Sequence, residues 1–240
     1  MDARVLLCAV AFVWIATGML VAFPYYRDVG GAYLDRLGLP HWLMFVTCAF
    51  EVGLGLLVAL GRPTVPLAAM QLAMVATFTT ILAVFEPLLL AHPYGVLTKN
   101  LPLAGALLVA TVAWREGFSP RVTTWLRVAM ALPWITEGLF PKLLFQQQLE
   151  LDVVRASGLV PFDASVFLRI LGVAQILSGV LAVVLRGMPR RVLLALQAAS
   201  LVALPVLVAW HAPHLWVHPF APLLKNVPII AGTLVLVRRP

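Results

Sequence analysis

Residues 5–24, VLLCAVAFVWIATGMLVAFP, contain no charged side chain. Wound as an α-helix, a run of this length reaches about 30 Å, the thickness of the hydrocarbon core of a bilayer. Further apolar windows of helical length fall at 41–60, 64–85, 99–114, 126–144, 165–185, 190–210 and 222–237. With 62% hydrophobic and only 11% charged residues, and a mean hydropathy of +0.99, the 240 residues lack the polar surface that a soluble core needs. The pattern predicts an all-α membrane protein with eight transmembrane helices. The first window, behind Arg4, has a signal peptide's outline but lacks a convincing small-x-small cleavage site, and its counterpart recurs mid-chain. It is therefore expected to be a retained span.

The net charge of +7 comes from 17 Lys+Arg against 10 Asp+Glu. The arginines are scattered between apolar segments, which suits topology determinants and excludes a nucleic-acid face. Eight spans put both termini on one side. If that side is the cytoplasm, Arg4, Arg62, Arg115, Arg121, Arg127, Arg186, Arg190, Arg191, Arg238 and Arg239 lie inside. Arg27, Arg36, Lys99, Lys142, Arg155, Arg169 and Lys225 then lie outside. Only basic residues carry topological weight, so an N-in, C-in orientation is expected. Cys8 and Cys48 each sit in an apolar run without a CxxC, which excludes a thiol relay or a cysteine-rich metal site.

The second half repeats the first. WIATG at 14–18 matches WITEG at 134–138; Gly38 and Pro40 match Gly158 and, one residue late, Pro161. Gly55 and Arg62 match Gly179 and Arg186, Gln71 matches Gln197, and Pro87 matches Pro213. HPYGVLTKNLP at 92–102 matches HPFAPLLKNVP at 218–228. The shift drifts from 120 to 126 residues. Each copy holds four windows, an even number, so both insert the same way round. The expected architecture is two parallel four-helix repeats, 1–118 and 119–240, related by a pseudo-two-fold along the membrane normal.

These motifs carry a resemblance. The Trp-x-x-x-Gly of the first helix (with Lys142 following in the second copy), GLPHW, FEVGLGLLVALGR with its Glu51, and the HP-[YF]-x-x-L-x-KN-x-P signature resemble the DoxX-like membrane family. The likeness is strongest to the branch found appended to NAD-dependent epimerase-like domains, and it covers nearly the whole chain. The family is named for a component associated with a thiosulfate- and quinone-linked oxidoreductase. The resemblance implies the fold more firmly than the chemistry.

In the signature, Pro93 and Pro219 stiffen a loop, Asn100 and Asn226 are placed to cap the next helix, and Pro102 and Pro228 fall in its first turn. Lys99 and Lys225 could snorkel to the outer interface. That reading leaves His92 and His218 unexplained and sets the lysines at the unfavourable end of a helix dipole, so a ligand- or headgroup-binding role stands beside it. In the fifth window Trp134, Glu137, Gly138, Pro141 and Lys142 share one helical face. There the ionisable pair faces a wet cavity or is neutralised by partners elsewhere. Arg169 is a candidate counter-charge for Glu137. The first copy has Trp14, Thr17 and Gly18 on the matching face, but Ala22 in the lysine's place. Glu51, replaced by Gln175 in the second copy, is either protonated or paired with a cation. Gln71 and Gln197 are interhelical hydrogen-bond links or pocket lining. The segments GAYLDRLGLP and LELDVVRASGLVP are expected to be amphipathic helices that lid a cavity at the outer face.

His92 and His218 recur, and His41, His211 and His214 lie at similar depth, but no helix-borne histidine pair is present. Neither haem nor a metal is expected. Without a Gly-rich loop or soluble domain the chain is not expected to bind NAD itself. The leading expectation is a redox-associated component of the bacterial inner membrane. It would bind a quinone or another lipid in an outer-half pocket and meet a membrane or peripheral oxidoreductase partner. No complete catalytic constellation is present. The alternatives are a non-enzymatic scaffold or chaperone-like binder and, less favoured, a transporter.

Overall fold

The computed structural model describes residues 1–158 and 160–239, with residues 207–209 and 211 described by their backbone alone. His211 therefore lies outside the described side chains. Among the described residues every regular element is helical. Helix α1 (Asp2–Met19) runs on through a 3-10 turn, Leu20–Ala22. The extended backbone of Phe23 ends it, and Pro24 opens α2 (Pro24–Arg36). Pro at the first helical position lacks an N–H that would have had no partner there. Next come α3 (Trp42–Leu60), α4 (Val65–Phe85), a 3-10 segment Pro87–Ala91, and α5 (Asn100–Glu116). The second half repeats that order. Helix α6 (Pro120–Gly138) continues as a π-turn, Leu139–Leu144, followed by α7 (Gln148–Ser157), α8 (Ala164–Val184) and α9 (Gly187–His211). A 3-10 segment Pro213–Val217 then leads to α10 (Asn226–Arg238).

Local chemistry marks the starts of the long helices. The side chains of Thr64, Ser119 and Asp163 accept from the N–H groups of Leu67, Val122 and Val166 at 3.0–3.3 Å. These bonds occupy donors that a helix cannot satisfy internally. Helices α2 and α7 both lead into a glycine in the left-handed region, Gly38 (φ 65°) and Gly158 (φ 64°). This is the backbone reason for the repeated Gly-Leu motif.

Helix α1 packs most extensively on α3, and α6 on α8. A β-carbon on Gly55 would lie 2.6 Å from Ile15 Cγ1 and 2.9 Å from the Ala11 carbonyl. One on Gly179 would lie 2.7 Å from Ile135 Cγ1 and 3.0 Å from the Ala131 carbonyl. The repeated glycines thus allow the same close helix approach twice. Helices α1, α5, α6 and α10 form the centre, with α5 on α6 and α1 on α10 joining the halves. Helices α3, α4, α8 and α9 lie outside and expose Phe45, Leu57, Val84, Ile170, Leu177 and Leu196. A soluble protein would bury such side chains, whereas a lipid-facing shell displays them.

The termini share one face: Arg239 donates to Asp2 at 2.9 Å, Arg190 to the Arg239 carbonyl at 3.1 Å, and Arg4 to the Gly61 carbonyl at 3.3 Å. The opposite face carries α2, α7 and the two signature loops. A helix occupies each apolar window, and among the described residues five are long and apolar enough to cross a membrane: Asp2–Ala22, α3, α4, α8 and Gly187–Val206. The pair α6–α7, bent by 93°, supplies a sixth if counted as one span. Helices α5, with 17 residues, and α10, with 13, are shorter than a full span. The eight helical windows are thus matched by five to six full-length spans among the described residues, with α5 and α10 the short ones. The reason is that the signature loops are not helical. Because they are buried in protein, their backbone polar groups need not face lipid.

Candidate functional site

The two signatures meet at the centre of the molecule. Lys99 Nζ donates to the Pro222 carbonyl at 3.2 Å, and Lys225 Nζ donates to the Val96 carbonyl at 2.9 Å. Val96 and Pro222 are themselves equivalent positions, 126 residues apart, so the two loops exchange the same bond reciprocally. Both lysines are buried. They do not snorkel outward: each ammonium is turned inward onto a carbonyl of the other half's loop.

The histidines fold these loops. His92 Nδ1 accepts from the Tyr94 N–H at 3.4 Å, and His218 Nδ1 from the Phe220 N–H at 3.2 Å. Their rings face each other with centroids 6.5 Å apart. Burial, with help from Lys99, lowers His92 to about 4. Burial, with help from His92, His214 and Lys225, lowers His218 to about 4. Both rings are thus neutral at pH 7, with Nδ1 as acceptor. Three residues after each histidine the chain turns through positive φ, at Gly95 (68°) and Ala221 (44°). A β-carbon on Gly95 would collide with the Glu137 carboxylate. Ala221 has no such neighbour and packs among Leu20, Tyr26, Met44 and Cys48.

Asn100 and Asn226 do not cap their helices, which corrects that expectation. Asn100 donates to Thr79 Oγ1 at 2.8 Å, and Thr79 donates on to the Val75 carbonyl at 2.6 Å. Asn226 donates directly to the Leu201 carbonyl at 3.3 Å. Leu201 is the equivalent of Val75, and its carbonyl is free because Pro205, four residues on, has no N–H to offer. In both halves the asparagine ties the short inner helix to the preceding long one.

From this centre the halves diverge. In the second, Lys99 lies 3.7 Å from Glu137, and Lys142 lies 3.0 Å from Glu150 on α7. Lys142 also donates to the Glu137 carbonyl at 3.4 Å. Pro141, which sits four residues after Glu137, cannot donate to that carbonyl. Arg169, expected as the counter-charge of Glu137, is exposed; the cation beside Glu137 is Lys99, from the other half. Gln197 donates to Ser178 Oγ at 2.7 Å, and the Trp134 indole N–H has no partner among the described residues.

In the first half the Trp14 indole donates to Gln71 Oε1 at 2.9 Å. Beside it lies a cavity of about 290 Å³. Its polar wall is Trp14, Thr17, Tyr26, Tyr33, Thr47, Glu51, Asn100 and Lys225, its other walls are apolar, and α2 roofs it. Among the described residues no cation lies within 4.0 Å of the Glu51 carboxylate, and its Oε2 has no hydrogen-bond partner. Lys225 lines the same cavity. Tyr26 pairs with Cys48 Sγ at 3.2 Å, and burial holds its hydroxyl well above the ordinary tyrosine range, so it remains a neutral group.

The cavity gathers four of the sequence-derived candidates, Trp14, Glu51, Asn100 and Lys225, and Gln71 supports it. Trp134, Glu137, Lys142, Gln197 and Asn226 belong to the second half, while His92, His218 and Lys99 hold the loops. Thr17, Tyr26 and Glu150 were not among the candidates. Glu150 had a legible signal: at spacing 150, 153, 154 and 157 it shares the inward face of α7 with Val153 and Val154. Among the described residues no group of three His, Cys, Asp or Glu side chains converges to hold a metal ion.

A model of the DoxX-like family matches residues 11–108 and, a second time, residues 131–234. No curated protein and no solved structure matches the chain.

Proposed function

The chain belongs to the DoxX-like family, as two tandem copies of its module, and from that premise we propose that it binds the head of a quinone or similar lipid in the cavity of its first repeat. In this reading it is an eight-span protein of the bacterial inner membrane with both termini cytoplasmic. Its repeats are related by a pseudo-two-fold along the membrane normal, and it serves an oxidoreductase partner. The reciprocal Lys99 and Lys225 bonds support the two-fold relation, since an isologous contact is made twice by equivalent residues. The shared face of the termini, with ten basic residues against seven, supports the orientation.

The observation that carries the ligand reading is the cavity of about 290 Å³ with mainly apolar walls, a carboxylate and an ammonium. Small-molecule sites have this character: apolar walls and a few convergent polar groups. The volume suits a ring-sized head, and an isoprenoid tail would remain among the lipid chains. A quinone carbonyl is an acceptor, and the Lys225 ammonium and the Thr17 hydroxyl, which has no partner among the described residues, are donors on the wall. Glu51 can donate to the opposite quinone carbonyl as a carboxylic acid, or accept from a quinol hydroxyl as a carboxylate.

Mass spectrometry of lipids extracted from protein purified in mild detergent tests this reading. A quinone should accompany the wild type and be depleted in Lys225→Met and Glu51→Gln. Bulk phospholipid alone, at one level in all three preparations, overturns it.

A further inference from the structure

The two repeats should offer two equivalent ligand sites, yet they are built differently, and two of the differences make an ion pair. Lys142 lies four residues after Gly138, and Ala22 lies four residues after Gly18. Glu150 lies eight residues before the left-handed Gly158, and Gly30 eight before the left-handed Gly38. The anchors are structurally equivalent: β-carbons on Gly18 and Gly138 would each meet a carbonyl of the facing helix, at Cys48 and Gly172, by 2.5 Å. In the aligned sequence the ion pair of the second repeat thus takes the positions of Gly30, which lines the cavity, and of Ala22, which is exposed at the end of the 3-10 turn. In the second repeat the side chains of Lys142 and Glu150 are buried, and they meet at 3.0 Å under the lid helix α7.

From this comparison we infer that the first repeat holds the single ligand site of the chain, and that the Lys142–Glu150 pair is a built-in plug filling the equivalent site in the second. The inference rests on reading the first-repeat cavity as the ligand site. An ion pair suits a plug because it is self-contained. It brings one charge of each sign, so the Lys99–Glu137 contact beside it keeps its own balance. It also spans the two elements that enclose the space, the end of α6 and the lid α7, and so holds the lid down. In the first repeat the lid is held differently, by Arg27 donating to the Val21 and Ala22 carbonyls at 2.9 and 2.8 Å and by the Tyr26–Cys48 contact, and α2 closes over open space that a ligand's head can occupy. The plug accounts for the asymmetry of the acids as well. Glu51 faces the cavity while its counterpart Gln175 has lost the charge. Gln175 packs against Gly138, the residue after Glu137, so a carboxylate there would add a second negative charge close to that one.

The test removes the plug and transplants it. In Lys142→Ala/Glu150→Gly, binding of a short-chain benzoquinone to the purified protein should double per chain. A ligand-independent reporter accompanies it: Leu168→Cys, at the position equivalent to the cavity-lining Met44 and fully buried. With the plug in place N-ethylmaleimide should not modify this residue; without the plug it should, as read at Cys-bearing peptides by mass spectrometry. A folded double variant with unchanged stoichiometry and an unreactive reporter overturns the inference. The reverse construction, Ala22→Lys/Gly30→Glu, should abolish quinone binding by the first repeat, and full retention overturns the inference even if the plug-less variant fails to fold. If the wild type binds no quinone, the ligand reading fails, while the reporter still decides whether the pair is a plug.

Discussion

Lys99 and Lys225 are equivalent in sequence and make equivalent hydrogen bonds, yet their replacement should have unequal effects. In Lys225→Met the Val96 carbonyl loses its donor. A buried acceptor left in this way costs about 1–3 kcal/mol. Glu51 adds little, because it has no cation within 4.0 Å to lose and it faces a cavity. In Lys99→Met the Pro222 carbonyl is left in the same state, and in addition Glu137 loses the cation 3.7 Å away. Breaking a buried pair from one side costs about 3–5 kcal/mol. The difference, about 3–5 kcal/mol, is a factor of roughly 100 or more in the unfolding equilibrium. Adding Glu137→Gln to Lys99→Met should recover the part due to the orphaned charge and bring the double variant close to Lys225→Met. Reversible unfolding in mixed micelles, followed by tryptophan fluorescence and far-ultraviolet circular dichroism, measures all three. The reasoning is refuted if Lys225→Met is the more damaging, or if Glu137→Gln gives no recovery.

Three further outcomes follow from the same geometry. Gly55→Ala should be less stable than Gly53→Ala by about 1–3 kcal/mol, the cost of overpacking. A β-carbon at Gly55 meets Ile15 at 2.6 Å, whereas one at Gly53 meets nothing within 4 Å; both variants gain the same helix propensity, so equal stability would contradict the packing. Lowering the pH should destabilise the protein between about 6.5 and 4. Over that range the unfolded histidines take up protons, but His92 and His218, held near 4 in the folded chain, do not. Melting temperatures recorded across it should fall with pH, and His92→Gln/His218→Gln should flatten the profile. Pro205→Ala restores an N–H four residues after Leu201 and so competes with Asn226 for that carbonyl; the added loss caused by Asn226→Ala should then be smaller than in the wild type, as a double-mutant cycle would report.

The linear pattern of residues was enough for the helical class, the lipid-facing environment, the duplication and the two amphipathic lid segments. Hydropathy over a window of helical length and a collinear series of repeated motifs are local properties, readable without knowing what touches what. The same holds for the glycines of the α1–α3 and α6–α8 contacts, whose recurrence marked them before their neighbours were known. Partnership was not readable. Sequence reasoning offered Arg169 to Glu137, sent Lys99 and Lys225 toward the interface, and assigned Asn100 and Asn226 to helix caps. Each assignment used the nearest plausible chemistry along the chain. The fold supplied distant chemistry instead, because it buries the two signature loops against each other and leaves carbonyls free beside Pro141 and Pro205.

The cavity likewise exists only in three dimensions. Its walls come from α1 to α5 and from Pro219, Phe220 and Lys225 of the other half, and Gly30 lines it where the second repeat carries Glu150. Two copies of one module can be recognised from sequence alone. Which copy stays open is decided by how side chains far apart in the chain fill, or fail to fill, a shared volume.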